Sequence, residues 1–169
     1  PRAYFPAPVG VGFAGISYAN NSGGLLFDPS LPVEDAHVNA HVPSLSLGMS
    51  FGTLGRSSQA LVVLPYVVAD VNGRVAGVEE YRYRSGLADM TFRYAINLHG
   101  APAMTRKEFA SYQQKTIVGL SVTAVAPTGQ HDPALVINIG TNRWAVKPAF
   151  GMILPLRPTW LFEIEVGAW

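Results

Sequence analysis

The chain has 169 residues, of which 49% are hydrophobic and only 14% charged, with a formal net charge of +1. The charged share is well below the roughly 25% of ordinary soluble domains, and the mean hydropathy is +0.20. Basic residues are scattered rather than gathered into a patch, which argues against a nucleic-acid partner, and the absence of cysteine excludes disulfides, thiol nucleophiles and Cys-based zinc sites. No run approaches the ~18 consecutive apolar residues of a membrane helix. So apolar a chain has two ways to place its side chains: a well-covered soluble core, or a barrel whose outer wall faces lipid.

In chain order, residues 9–18 read as a weak strand, followed by a long connection over 20–35. In 38–51 the apolar parity switches, from Val38, Ala40 and Val42 to Leu45, Leu47, Met49 and Phe51, with Pro43 at the switch. A β-bulge at Pro43 is the expected cause. A short turn at 52–56 leads into 57–69, apolar on both faces through Leu61, Val63 and Val67 and through Val62, Leu64, Tyr66 and Val68. Residues 70–86 read as a second long connection. The clearest strand is 89–98, where Met90, Phe92, Tyr94, Ile96 and Leu98 alternate with Asp89, Thr91, Arg93, Ala95 and Asn97. That is period-two alternation over the length of a tilted membrane strand. The connection 99–115 holds the one plausible helix, near 105–113, with Thr105 as N-cap. Strand 116–126 sets Val118, Leu120, Val122 and Ala124 against Gly119, Ser121 and Thr123. A long connection at 128–143, a weaker strand at 144–153 and a short turn at 154–159 follow. The last strand, 160–167, has Trp160, Phe162, Ile164 and Val166 opposite Glu163, Glu165 and Gly167.

The fold class read from this pattern is all-β, a single domain over 1–169 with about seven up-and-down antiparallel strands. Alternation alone does not separate a membrane barrel from a β-sandwich, since both need one apolar face. Two features favour a barrel of the transmembrane type. Aromatic residues Tyr18, Phe51, Tyr66, Trp144 and Trp160 fall near strand ends, as interfacial girdles do. Arg93 and Glu163 stand in mid-strand on the polar faces, where a water-filled lumen accommodates charge. Long and short connections alternate as external loops and periplasmic turns would, apart from 99–115. Single-chain barrels have even strand numbers, so about seven strands predicts an incomplete barrel, continued beyond Trp169 or paired between copies.

Several stretches together resemble the family named "putative MetA-pathway of phenol degradation". They are Ala7-Pro8-Val9-Gly10, Leu26-Phe27-Asp28-Pro29-Ser30-Leu31-Pro32, Val63-Leu64-Pro65-Tyr66, Gly86-Leu87-Ala88-Asp89, Asn97-Leu98-His99-Gly100-Ala101-Pro102-Ala103, Ala126-Pro127-Thr128-Gly129-Gln130-His131-Asp132-Pro133, Asn138-Ile139-Gly140-Thr141-Asn142-Arg143-Trp144 and Lys147-Pro148. They run in family order from residue 7 onward. The resemblance implies an outer-membrane barrel of a Gram-negative bacterium, transporter-like. It supplies no catalytic residues, and family members are usually longer than this chain.

No constellation points to catalysis. His37 and His41, four apart on a strand, stand about 13 Å from one another at ~3.3 Å per residue, too far to share a metal. Glu163 and Glu165 share a face, but the chain shows no cleft for paired-carboxylate chemistry; lumen carboxylates pairing with Arg93 or Lys147 is the plainer reading. Asp28-Pro29 and Asp132-Pro133 are turn starters and lack cation-loop spacing. Ser57, Ser58 and His41 lack a nucleophile-elbow context. The expectation is a non-enzyme without cofactor or metal, whose site is the shape of a lumen lined by Asp89, Arg93, Asn97, Glu163 and Glu165. The two-sided apolarity of 57–69 predicts an apolar lumen stripe, unless a loop or the N-terminal segment covers it. The expected partners are the lipid bilayer and a small apolar or aromatic solute, and the expected function is passive transport. The alternative is a structural or binding β-protein without a conduit.

Overall fold

The computed structural model describes residues 4–25, 32–157 and 160–169. Among the described residues there are eight strands and one short helix. They are β1 (Gly12–Gly24), β2 (Val33–Thr53), β3 (Arg56–Val75), β4 (Val78–Leu87), β5 (Thr91–His99), α1 (Arg106–Ala110), β6 (Ile117–Val125), β7 (Ala145–Arg157) and β8 (Trp160–Gly167). All pairings are antiparallel, in the order β1-β2-β3-β5-β6-β7-β8, with β4 also on β3. The sheet is an open half-barrel.

Both β4 and β5 lie on the same side of β3. The first half of β3, Ser58–Val63, pairs with β5, and its second half, Tyr66–Val75, pairs with β4. They run in one direction, so β4 and β5 form one long antiparallel strand broken at residues 88–90. The wall therefore has seven long strands, in agreement with the strand number expected. Two connections are two-residue hairpins of the type in which both central residues take positive φ: Leu54-Gly55 (φ 50 and 73) and Ala76-Gly77 (φ 50 and 80). Their twist matches that of the flanking strands. One end of the wall, called lower here, carries the Leu54-Gly55 turn, the segment with α1 and the N-terminal residues. The upper end carries the Ala76-Gly77 turn and the 126–144 loop. Thr105 caps α1 as expected: its Oγ1 accepts from the Glu108 N–H (3.3 Å) and its own N–H donates to Glu108 Oε2 (2.7 Å), a capping box.

Three sequence expectations are corrected. Residues 70–86 are not a loop but the upper half of β3 and β4, closed by Ala76-Gly77. Their charges stand among Val71, Val75, Tyr81 and Tyr83, and their pairing partner is the adjacent strand. The connection assigned to 20–35 is shorter, because β1 runs to Gly24 and β2 begins at Val33; residues 26–31, with most of the Leu26–Pro32 stretch, lie outside the described residues. There is no bulge at Pro43. The ladder to β1 passes through Tyr18↔Pro43 without a shift, and the ladder to β3 skips Val42 and Pro43 and resumes in the same register. Proline removes a ladder hydrogen bond without inserting a residue. The bulge is elsewhere, between Glu34 and His37, where Asp35 has φ 49.

With register intact, the parity switch in β2 means that apolarity changes sides. In the lower half, Leu45, Leu47 and Met49 face outward beside Ile16, Leu64, Phe92, Leu120, Val122 and Phe150, a belt of large apolar side chains most of which are 40% or more exposed. Above Pro43 the outer face becomes mostly polar, with Asn20, Asn39, His41 and Asp70 beside Val68, Tyr81 and Tyr83, while the inner face takes Val38, Ala40, Ala69 and Val71. Tyr18 and Tyr66 flank Pro43 at the changeover, and Tyr18 Oη meets His41 Nδ1 at 2.5 Å.

Candidate functional site

The inner face is built from the alternate positions of each strand, and its character changes around the wall. On β1–β3 it is an apolar stripe. The Phe13 ring lies over Gly48, where a Cβ would come within 2.3 Å of it, and Leu61 and Val63 continue the stripe in half-buried positions. On β5–β8 it is polar. Arg93 Nη2 donates to Glu165 Oε2 (2.6 Å) and Ser121 Oγ (3.1 Å), reaching from β5 over β6 to β8. Lys147 Nζ stands 3.9 Å from Glu165 Oε1 and 5.5 Å from the Trp169 ring centroid. These side chains are 22–30% exposed, so the pairs are more than surface decoration and less than a dry core.

At the lower end the N-terminal segment enters the inner face. Tyr4 is fully buried. Its ring rests on Gly119 and Gly151, directly paired across β6 and β7; a Cβ at either would come within 2.3 and 1.9 Å of ring atoms. Tyr4 Oη meets Ser121 Oγ at 2.9 Å, the Arg93 guanidinium lies 5.8 Å from the ring centroid, and Asn97 Nδ2 donates to the Tyr4 carbonyl (2.9 Å). Gln59 Nε2 donates to the Phe5 carbonyl (2.6 Å). The lower part of β3 is thus covered by the N-terminal segment. Its upper part meets the 126–144 loop, where Val71, Val75, Ala36, Val33, Val136 and Ile137 line an apolar cavity of about 310 Å³.

Of the five residues expected along a lumen, Arg93, Asn97 and Glu165 share the face that receives Tyr4. Glu163 occupies an inner-face position opposite Ile153. Asp89 is elsewhere, in the break between β4 and β5. It is 8% exposed. Its Oδ1 accepts from Gly129 N–H (2.8 Å), and its Oδ2 from Thr141 N–H and Oγ1 (both 2.7 Å). Burial opposes its ionisation, but the N–H groups of Thr141, Gly129 and Thr128 and the Thr141 hydroxyl outweigh it and hold the carboxyl below its ordinary range. Around it three sequence stretches converge. Gly129 packs on Gly140 too closely for any side chain, Gly86 leaves room for Gln130, and Gln130 N–H donates to the Leu87 carbonyl (2.9 Å). The knot fixes the 126–144 loop to the upper end of the wall.

The seat of Tyr4 escapes a reading of the sequence, because the meeting of Gly119 with Gly151 depends on register. The available signal is a run of small residues (Gly119, Ser121, Ala149, Gly151) on the inner positions of two adjacent strands, which leaves a void to be filled. Among the described residues no cluster of three or more His, Asp or Glu is spaced to hold a metal ion.

An antiparallel half-barrel with an apolar outer belt and a mixed inner face defines a β-wall protein. Residues 19–168 match the family described as "Putative MetA-pathway of phenol degradation", and the chain belongs to it. The family name ties it to phenol degradation. No curated protein and no solved structure matches the chain.

Proposed function

We propose that the outer belt stands in the lipid of a bacterial outer membrane and that the inner face lines a passive route for small hydrophobic or aromatic compounds, with no catalytic step. The observation that supports it is the inversion of polarity at Pro43. A soluble wall has no reason to expose Ile16, Leu47, Met49 and Phe150 in one outer band and then turn mostly polar on that same face above Pro43. A wall leaving lipid does. From Pro43 to Phe51 the belt spans about 26 Å of strand at ~3.3 Å per residue, which at a tilt of roughly 35–45° rises about 19–22 Å, near the lower side of the ≈25 Å apolar band of such barrels. Phe51 and Trp160 at the lower edge and Tyr18, Tyr66 and Trp144 at the upper stand where aromatic girdles belong. On the inner face the Phe13–Leu61–Val63 stripe gives a ring or alkyl chain a surface to pass along, and the Arg93–Glu165 pair keeps the opposite side wet. Backbone groups left unpaired in lipid cost several kcal/mol each, so the edges at β1 and β8 take partners there, from further strands or a second copy.

The burial of Tyr4 at the lower end favours a second reading, a binding or structural wall without flux. Liposomes separate the two. Uptake of a labelled aromatic acid above that of empty liposomes, with sugars excluded, is the expected result. Ion conductance without aromatic uptake marks an ordinary aqueous pore, and neither marks the structural reading.

A further inference from the structure

We propose that the seat of Tyr4 is a binding site for a phenol ring, occupied in this structure by the chain's own phenol, and that a small phenolic solute competes with Tyr4 for it and releases the N-terminal segment. The proposal rests on the conduit reading and adds to it the ligand class and the gate.

The site recognises a phenol by three separate contacts. Gly119 and Gly151 make a floor without side chains, against which only a flat ring fits. Ser121 Oγ, 2.9 Å from Tyr4 Oη, reads the hydroxyl. Arg93, 5.8 Å from the ring centroid and fixed by Glu165 at 2.6 Å, reads the π-face, an attraction that grows when the pair is desolvated. None of the three depends on the Tyr4 backbone, so each is available to a free phenol. Arg93 Nε is moreover buried without a hydrogen-bond partner among the described residues. Toluene fits the floor and leaves Ser121 unanswered. Cyclohexanol answers Ser121, but its ring is not flat.

Tyr4 is also held in a way that permits exchange. The segment from Tyr4 to Pro8 is not a strand. Pro6 and Pro8 have no N–H to give, and the wall grips the Tyr4 and Phe5 carbonyls through the side chains of Asn97 and Gln59. Backbone pairing is firm from Val9 and Gly10, whose N–H groups donate to Met104 and Ser50 carbonyls at 2.8 and 2.9 Å. Withdrawal of Tyr4 therefore needs no rupture of the β-ladder.

Because the chain has no cysteine, Ala7→Cys introduces a unique reporter. In the liposome-reconstituted protein, 4-methylphenol is expected to raise its labelling rate by a water-soluble maleimide in a saturable way, while toluene and cyclohexanol leave it unchanged. Tyr4→Phe keeps the ring and loses the Ser121 bond, so half-effect should come at about two- to tenfold lower 4-methylphenol, the worth of one neutral hydrogen bond. Tyr4→Ala should bind 4-methylphenol directly, and adding Ser121→Ala should weaken that binding by a similar factor. Labelling indifferent to 4-methylphenol, or equal responses to toluene, would overturn the site. Either result alongside intact aromatic uptake would leave the conduit standing; loss of uptake alone would remove the conduit and leave the site.

Discussion

At Asp89 one carboxylate takes hydrogen bonds from Gly129 and Thr141 and so ties the 126–144 loop to the break between β4 and β5. Replacing it with alanine orphans buried donors, each costing roughly 1–3 kcal/mol, so Asp89→Ala should destabilise the loop by about 2–4 kcal/mol. Thermal denaturation checks the loss, and hydrogen exchange at Gly129 and Thr141 locates it. The sign with pH follows from the depressed folded value. The contribution is complete above the ordinary aspartate pKa of about 3.9 and is lost as pH falls below it toward the folded value. Protection of these two amides, relative to their intrinsic exchange rate at each pH, should fall below about pH 4, and Asp89→Asn should abolish that dependence. In the sequence Asp89 looks like one more polar member of an alternating strand, because its partners are 40 and 52 residues away. Arg93 stands within the unbroken alternation, and parity puts it on the face opposite Phe92 and Tyr94, where it meets Tyr4 and Ser121.

Among the elements, β2 decides most. Its sequence shows the apolar set moving from one parity to the other, and a bulge is the local explanation. The register shows that the strand stays true while its apolar side chains pass from one face to the other. Periodicity reports which side chains are apolar, not which side of the wall is wet. The same blindness hides β4: Glu79, Glu80, Arg82 and Arg84 read as a loop because both faces of that hairpin meet polar surroundings or a loop. A pair of substitutions tests the level at which the surroundings change. Leu120→Arg, in the middle of the outer belt, should cost about 2–4 kcal/mol of assembly in lipid, whereas Asn39→Arg, above Pro43, should cost about 0–1 kcal/mol. Folding into vesicles of a set thickness, followed by the mobility difference between boiled and unboiled samples, reads both.

For the whole molecule, the seven long strands among the described residues, their up-and-down order and a short turn within 52–56 follow from alternation, whereas the inner face becomes legible only once register joins distant residues. Tyr4, Gly119 and Gly151 have nothing in common along the chain, and in the folded wall they make one contact. The central claim is that this wall separates lipid from a solute route, with its parity dividing the two. The most direct measurement is a single-cysteine scan across β5, from Thr91 to Asn97, with a fluorophore at each position in reconstituted vesicles. Quenching by a nitroxide lipid should peak at Phe92, Tyr94 and Ile96, and quenching by aqueous iodide at Thr91 and Arg93. Ala95 and Asn97, beneath the N-terminal segment, should resist both. Equal aqueous quenching at every position, with no response to the nitroxide lipid, would contradict a wall in lipid and leave a soluble sheet.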